Sequence, residues 1–127
     1  MYLLDTSVVL TYVLNAKRLG PKTQRIIRDP GQLQISSVSI AEMFVKQMLG
    51  KIQLRSPITA VASAFGLKPL SFDLTVAEEL STLTGMVGYD PFDRMITATA
   101  KAKGIKLITS DRRLLDLGFD WILDSFE

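Results

Sequence analysis

Asp90-Pro91-Phe92-Asp93-Arg94-Met95-Ile96-Thr97-Ala98-Thr99-Ala100-Lys101-Ala102-Lys103-Gly104-Ile105-Lys106-Leu107-Ile108-Thr109-Ser110-Asp111 is the stretch that decides the fold. Its first part reads as a helix over 90–103. Pro91 suits a first helical position, Phe92, Met95, Ile96, Thr99 and Ala102 share one face, and Gly104 is a stop signal. Lys106-Leu107-Ile108-Thr109 then reads as a strand bounded by Ser110-Asp111. A helix running into a short buried strand is the unit of a parallel sheet covered on both faces.

The alternation extends outward in both directions. Residues 2–4 read as a strand that gives way to a helix over 7–14, and Gly20-Pro21 opens another helix to about 29, where Asp29-Pro30-Gly31 makes a turn. A strand over 33–36 precedes a helix from Ser39 with the apolar stripe Ala41, Phe44, Val45, Met48 and a stop at Gly50. There follow a short helix over 57–65, a weaker strand over 68–72 and a helix over 75–87 with Thr75 and Glu78 as a capping box. Beyond the quoted stretch come a short helix over 112–115 and a fifth strand over 120–123. The expectation is one α/β domain over 1–127, with no repeat, low-complexity tract or linker.

Composition narrows the chemistry. Apolar residues make up 47% and charged residues 22%, as in an ordinary globular chain. There is no cysteine and no histidine, which removes disulfides, thiolate chemistry, histidine triads and the common zinc sites. No stretch approaches the roughly twenty apolar residues of a membrane helix, and the expected location is cytoplasmic. Net charge is +2, but residues 17–55 carry eight bases against two acids, a local +6, while residues 56–127 carry seven bases against ten acids, a local −3. A basic flank beside an acidic cleft suits a polyanion whose cleavage needs a metal; solvated helix faces would give the same counts.

Four acids carry the functional reading: Asp5, Glu42, Asp93 and Asp111, each where a strand-like run gives way to a helix start. Each has a capping alternative. Asp5 can cap the first helix, Ser39 and Glu42 form a possible capping box, Asp93 lies three residues after a possible Asp90 cap, and Asp111 precedes the Arg112 helix. Glu42 also has Lys46 four residues on. Yet strand C-termini of a parallel sheet open on one crevice, where carboxylates from separate junctions converge. On helical geometry Asp93 flanks its apolar stripe, whereas Asp90 falls nearly opposite Phe92, which favours Asp93 as the site acid. Such carboxylates raise one another's pKa unless a cation compensates. Hard oxygen ligands without His or Cys suit Mg²⁺ or Mn²⁺, which supply Lewis acidity and an activated water.

Two other acid-at-strand-end chemistries fit less well. A phospho-acceptor receiver needs an acid pair by the first strand, an acceptor Asp after the third and a Lys after the fifth. This chain offers Asp5 alone, Asp73 after Ser71-Phe72, and no Lys beyond Trp121. A haloacid-dehalogenase-like phosphatase needs a second Asp two residues after the first, where Ser7 stands.

In this order the motifs resemble those of the PIN-domain ribonucleases, and among them the VapC-type toxins of toxin–antitoxin pairs. Leu3-Leu4-Asp5-Thr6-Ser7, Ser39-Ile40-Ala41-Glu42-Met43, Asp90-Pro91-Phe92-Asp93-Arg94-Met95-Ile96 and Leu107-Ile108-Thr109-Ser110-Asp111 look like the four motifs of that family. Many relatives have His just before Asp-Pro-Phe-Asp, where this chain has Gly88-Tyr89. The resemblance implies a three-layer α/β/α fold with a five-stranded parallel sheet in the order 3-2-1-4-5. It also implies Mg²⁺- or Mn²⁺-dependent cleavage of RNA by Asp5, Glu42, Asp93 and Asp111, leaving a 5′-phosphate and a 3′-hydroxyl. A homodimer and neutralisation by a small antitoxin protein are implied as well. A PIN fold retained only for binding RNA or protein is the alternative.

Overall fold

The computed structural model describes residues 1–127, save the side chain of Pro30, and the turn expected at Asp29-Pro30-Gly31 forms: the N–H of Gln32 donates to the carbonyl of Asp29 in a 3₁₀ turn over Pro30–Gln32. In chain order it contains β1 (Tyr2–Leu4), α1 (Thr6–Asn15), α2 (Pro21–Ile27), β2 (Leu33–Ser36), α3 (Ser37–Met48), α4 (Ile58–Ala64) and β3 (Lys68–Leu70). These are followed by α5 (Leu74–Glu79), α6 (Pro91–Lys103), β4 (Lys106–Thr109), α7 (Arg112–Leu115) and β5 (Ile122–Asp124). The five strands form one parallel sheet in the order β3-β2-β1-β4-β5.

Strand alternation divides the core into two layers. Leu3 and Leu107 face one side, with Val76, Met86, Ile96, Ala100 and Leu114. Leu4 and Ile108, one residue on, face the other with Val8, Leu33, Ile35, Met43 and Ile58. β1 and β4 are in register, Leu4 opposite Ile108, so Asp5 and Ser110 leave the sheet on the same edge. The chain builds outward from β1 through β2 to β3, then returns to the other side of β1 with β4. The crevice between β1 and β4 is therefore the topological switch point.

α6 follows the sequence expectation closely. Asp90 accepts from the backbone N–H of Phe92, Pro91 opens the helix, and Gly104 ends it in the left-handed region at φ 64°. The face expected from Phe92, Met95 and Ile96 packs on the sheet.

α3 differs from the expectation in two ways. It begins at Ser37, because Ser36 caps it by accepting from the N–H of Val38, and the Ser39–Glu42 capping box does not form. Its buried face is Val38, Ser39, Glu42 and Met43, whereas the expected stripe of Ala41, Phe44, Val45 and Met48 faces outward. Met48 is 86% exposed and Leu49 63%, which leaves an apolar helix face in contact with solvent. The expected helix over 75–87 is also broken. Asp73, not Thr75, caps α5 through the N–H of Val76, and two 3₁₀ turns replace the rest. β3 stops at Leu70 rather than 72, and β5 runs over Ile122–Asp124 rather than 120–123.

The chain's last residues are built into the fold. Gly20 N–H donates to the carbonyl of Ser125 and Thr23 N–H to that of Glu127, and a Cβ at Gly20 would run into the carbonyls of Phe126 and Glu127. Among the described residues no helix is long and apolar enough to cross a membrane.

A candidate metal centre at the sheet's switch point

Four expected acids meet at one place. Asp5 leaves β1, Glu42 lies in the first half of α3, Asp93 in the first turn of α6, and Asp111 caps α7 after β4. All four line a cavity of about 370 Å³, with Asp90, Lys46, Thr6, Ser7 and Ser110. Larger apolar cavities exist elsewhere on the surface, but this is the one at the switch point where several strand and helix ends deliver polar groups.

Asp5 is the anchor. It is only 4% exposed; its Oδ1 accepts from the N–H of Thr6 at 2.8 Å and its Oδ2 from the hydroxyl of Thr109 at 2.7 Å. Burial pushes its carboxyl above the ordinary range against the pull of those two hydrogen bonds, and the charges of Glu42 and Asp111 add to the rise. Thr109 Oγ1 also accepts from the N–H of Asp111 at 3.0 Å, so one buried hydroxyl ties the β1 and β4 acids together. Ser7 and Ser110 join the same two junctions at 2.9 Å.

Asp93 has a different environment. Among the described residues its carboxylate accepts no hydrogen bond, and it is partly buried beside four other acids. Burial, followed by the charges of Asp5, Asp90, Asp111 and Glu42, pushes its pKa up to about 7. Asp90, set apart from the site on helical geometry, lines the cavity as well. Its cap turns the chain before Pro91, so the residue sits at the mouth rather than behind the helix.

Glu42 is on the buried face of α3, with Oε2 3.1 Å from Lys46 Nζ and Oε1 buried without a partner. Thr6 Oγ1 is likewise buried and unpartnered. A buried acceptor left without a partner is costly, and a cavity whose acceptors are all oxygens suits a hard cation. Among the described residues, however, no three acids are drawn together closely enough to form a ready-made ion site. Asp5, Glu42 and Asp111 are each turned to a partner within the protein, which a cation would have to share or displace.

Lys46 and Thr109 are the parts of the site with the weakest signal in the sequence. The spacing marks Lys46 as a helix neighbour of Glu42, but only the packing puts Lys46 at the cavity and sets the buried Thr109 hydroxyl against Asp5. Gly88-Tyr89, the departure before Asp90, buttresses the cavity's edge. Tyr89 OH donates to the carbonyl of Arg113, and the Arg113 guanidinium lies 4.3 Å from the Tyr89 ring centre, which ties the start of α6 to α7.

Comparison with known proteins agrees with this architecture. The family model described as "PIN domain" matches residues 2–120. Ribonuclease VapC22 of Mycobacterium tuberculosis is 28% identical over 114 residues, which cover 88% of each chain. Among solved structures, the DNA-bound VapBC of Salmonella typhimurium superposes with a TM-score of 0.70 at 21% identity, covering 97% of this chain and 96% of that one. A toxin-antitoxin complex from Klebsiella pneumoniae gives 0.68 at 19% identity, covering 100% and 99%. At those identities the superpositions establish the shared fold. The family match runs from β1 past the Asp111 junction, and by it the chain belongs to the PIN domain family.

Proposed function

We propose that this protein is a metal-dependent endoribonuclease that hydrolyses RNA phosphodiester bonds and serves as the toxin of a toxin–antitoxin pair. The observation that carries the reading is the convergence of Asp5, Glu42, Asp93 and Asp111 on one cavity at the switch point, with Glu42 Oε1 buried and unpartnered. The name of the M. tuberculosis relative supports the ribonuclease, and the solved neighbours, complexes of toxins with antitoxins, support the pairing.

Asp5, Glu42, Asp93 and Asp111 would hold Mg²⁺ or Mn²⁺, which when bound supplies Lewis acidity and a water of lowered pKa. The chain's own residues prepare that site. Thr109 fixes the Asp5 carboxylate and the backbone of Asp111 in one orientation. The Asp90 cap fixes the first turn of α6 and so the position of Asp93. With no histidine or cysteine in the chain, the acids and their hydroxyl partners are the groups available to hold water and ions beside a phosphodiester.

The exposed α3 face of Phe44, Val45, Met48 and Leu49 supports a homodimer in which a second copy covers it. The single PIN domain over 1–127 acts in the cytoplasm in this reading, where RNA and the antitoxin are at hand. A catalytically silent binding module is the second reading, favoured by the Glu42–Lys46 pair and by the absence, among the described residues, of three gathered ligands. Incubating purified protein with RNA and Mg²⁺ or Mn²⁺ separates the two. Cleavage that persists in Asp5→Asn or in excess chelator would sink the proposed mechanism, and metal binding without cleavage would favour the silent module.

A further inference from the structure

We propose that Lys46 is a substrate-contacting residue of this site: it neutralises Glu42 while the cavity is empty and binds a phosphate of the RNA chain when substrate arrives. The inference rests on the nuclease reading above and adds a residue to it. Among the described residues that line the cavity, Lys46 is the one base, set against the carboxylates of Asp5, Glu42, Asp90, Asp93 and Asp111. A pocket of that sign repels a polyanion unless a cation stands at its entrance.

Lys46 is placed to do this. Its side chain is 36% exposed, whereas that of Glu42 is 11% exposed, so the pair runs from solvent inward with the ammonium outermost. Ion pairs between i and i+4 on a helix are weakly held. The four-carbon stem lets the ammonium exchange one oxygen partner for another without moving α3. The same pair makes Lys46 a competitor of any divalent cation for Glu42 Oε2. Removing the amine should therefore have opposite effects on the two ligands: weaker RNA binding and tighter metal binding.

The test measures binding, not turnover. Affinity for a single-stranded RNA oligonucleotide is followed by fluorescence anisotropy in chelator over roughly 50–200 mM salt. The proteins are wild type, Lys46→Met, Lys46→Arg and Lys106→Met, the last at the start of β4 and so at the opposite edge of the sheet from the cavity. Mn²⁺ is titrated separately into each protein without RNA. Lys46→Met should bind RNA several-fold more weakly, with the slope of log K on log salt reduced by about 0.7, one phosphate contact on a single strand. It should also bind Mn²⁺ more tightly than wild type. Lys46→Arg should keep the slope, and Lys106→Met should match wild type in both measurements.

A merely structural Lys46 would weaken both ligands and lower the melting temperature. That result, an unchanged slope in Lys46→Met, or an equal loss in Lys106→Met would overturn the assignment while leaving the nuclease reading intact. Wild-type protein that binds no RNA, in chelator or in Mg²⁺, would overturn both.

Discussion

Replacing Asp93 by Asn is expected to stabilise the metal-free protein at neutral and alkaline pH, and to leave it unchanged in acid. In the fold Asp93 sits partly buried among other acids, with its pKa raised from an ordinary 3.8 to about 7. Between those two values the folded chain holds a proton that the unfolded chain has lost. Stability from this group is therefore fully present below pH 3.8, falls as pH rises, and is lost once pH passes the folded value of about 7. A gap of about three pH units at about 1.4 kcal/mol each sets a ceiling of about 4 kcal/mol. Asp93 is only partly buried, and solvent and salt screen its neighbours, so about 1–2 kcal/mol is the realistic gain from Asn. For a chain of this size that corresponds to roughly 4–8 °C in Tm. Thermal melts followed by circular dichroism in chelator, at about pH 4 and about pH 8, would measure it. The variant should match wild type at the lower pH and exceed it by those degrees at the higher. A gain independent of pH would refute the electrostatic argument. A loss at the higher pH would make Asp93 a helix-dipole residue in the first turn of α6.

Three other variants probe separate parts of the structure. Thr109→Val keeps the side chain's shape but strands a buried Asp5 oxygen and the Asp111 N–H; it should cost about 1–3 kcal/mol in denaturant unfolding and lower RNA cleavage more than tenfold. Gly20→Ala puts a methyl against the carbonyls of Phe126 and Glu127, and should destabilise by about 1–3 kcal/mol in the same assay; a neutral result would mean the chain's end moves aside freely. Met48→Lys places a charge on the exposed α3 face; if a second copy covers that face as proposed, sedimentation should show a dimeric wild type and a monomeric variant with the melting curve of the fold retained, and a variant that stays dimeric would put the interface elsewhere.

What could be read in advance follows from how local each signal is. The α6–β4 unit was legible because Asp90, Pro91 and Gly104 mark its ends within a few residues, and its apolar face and its packing agree. α3 departs from its pattern because periodicity reports an apolar stripe without saying what covers it. The Phe44–Met48 stripe faces out, and the helix instead buries Glu42 and Met43. The expected 75–87 helix failed because Asp73 captured the cap two residues earlier and the chain then turned through 3₁₀ segments. In the site, strand-end logic brought Asp5 and Asp111 together, since β1 and β4 are neighbours. The Thr109–Asp5 bond spans 104 residues and had no signal in spacing. Helical geometry misplaces Asp90 because a capping residue has non-helical dihedrals.

If the acids at the switch point make this PIN domain a metal-dependent nuclease, its cutting of RNA must depend on both the metal and those acids. The most direct measurement is cleavage of an end-labelled RNA by purified wild-type and Asp5→Asn protein, with Mg²⁺ or Mn²⁺ and again with excess chelator. The wild type should cut with metal only, leaving a 5′-phosphate and a 3′-hydroxyl at each cut. Cutting by Asp5→Asn or in chelator, or fragments ending in a 2′,3′-cyclic phosphate, would contradict it.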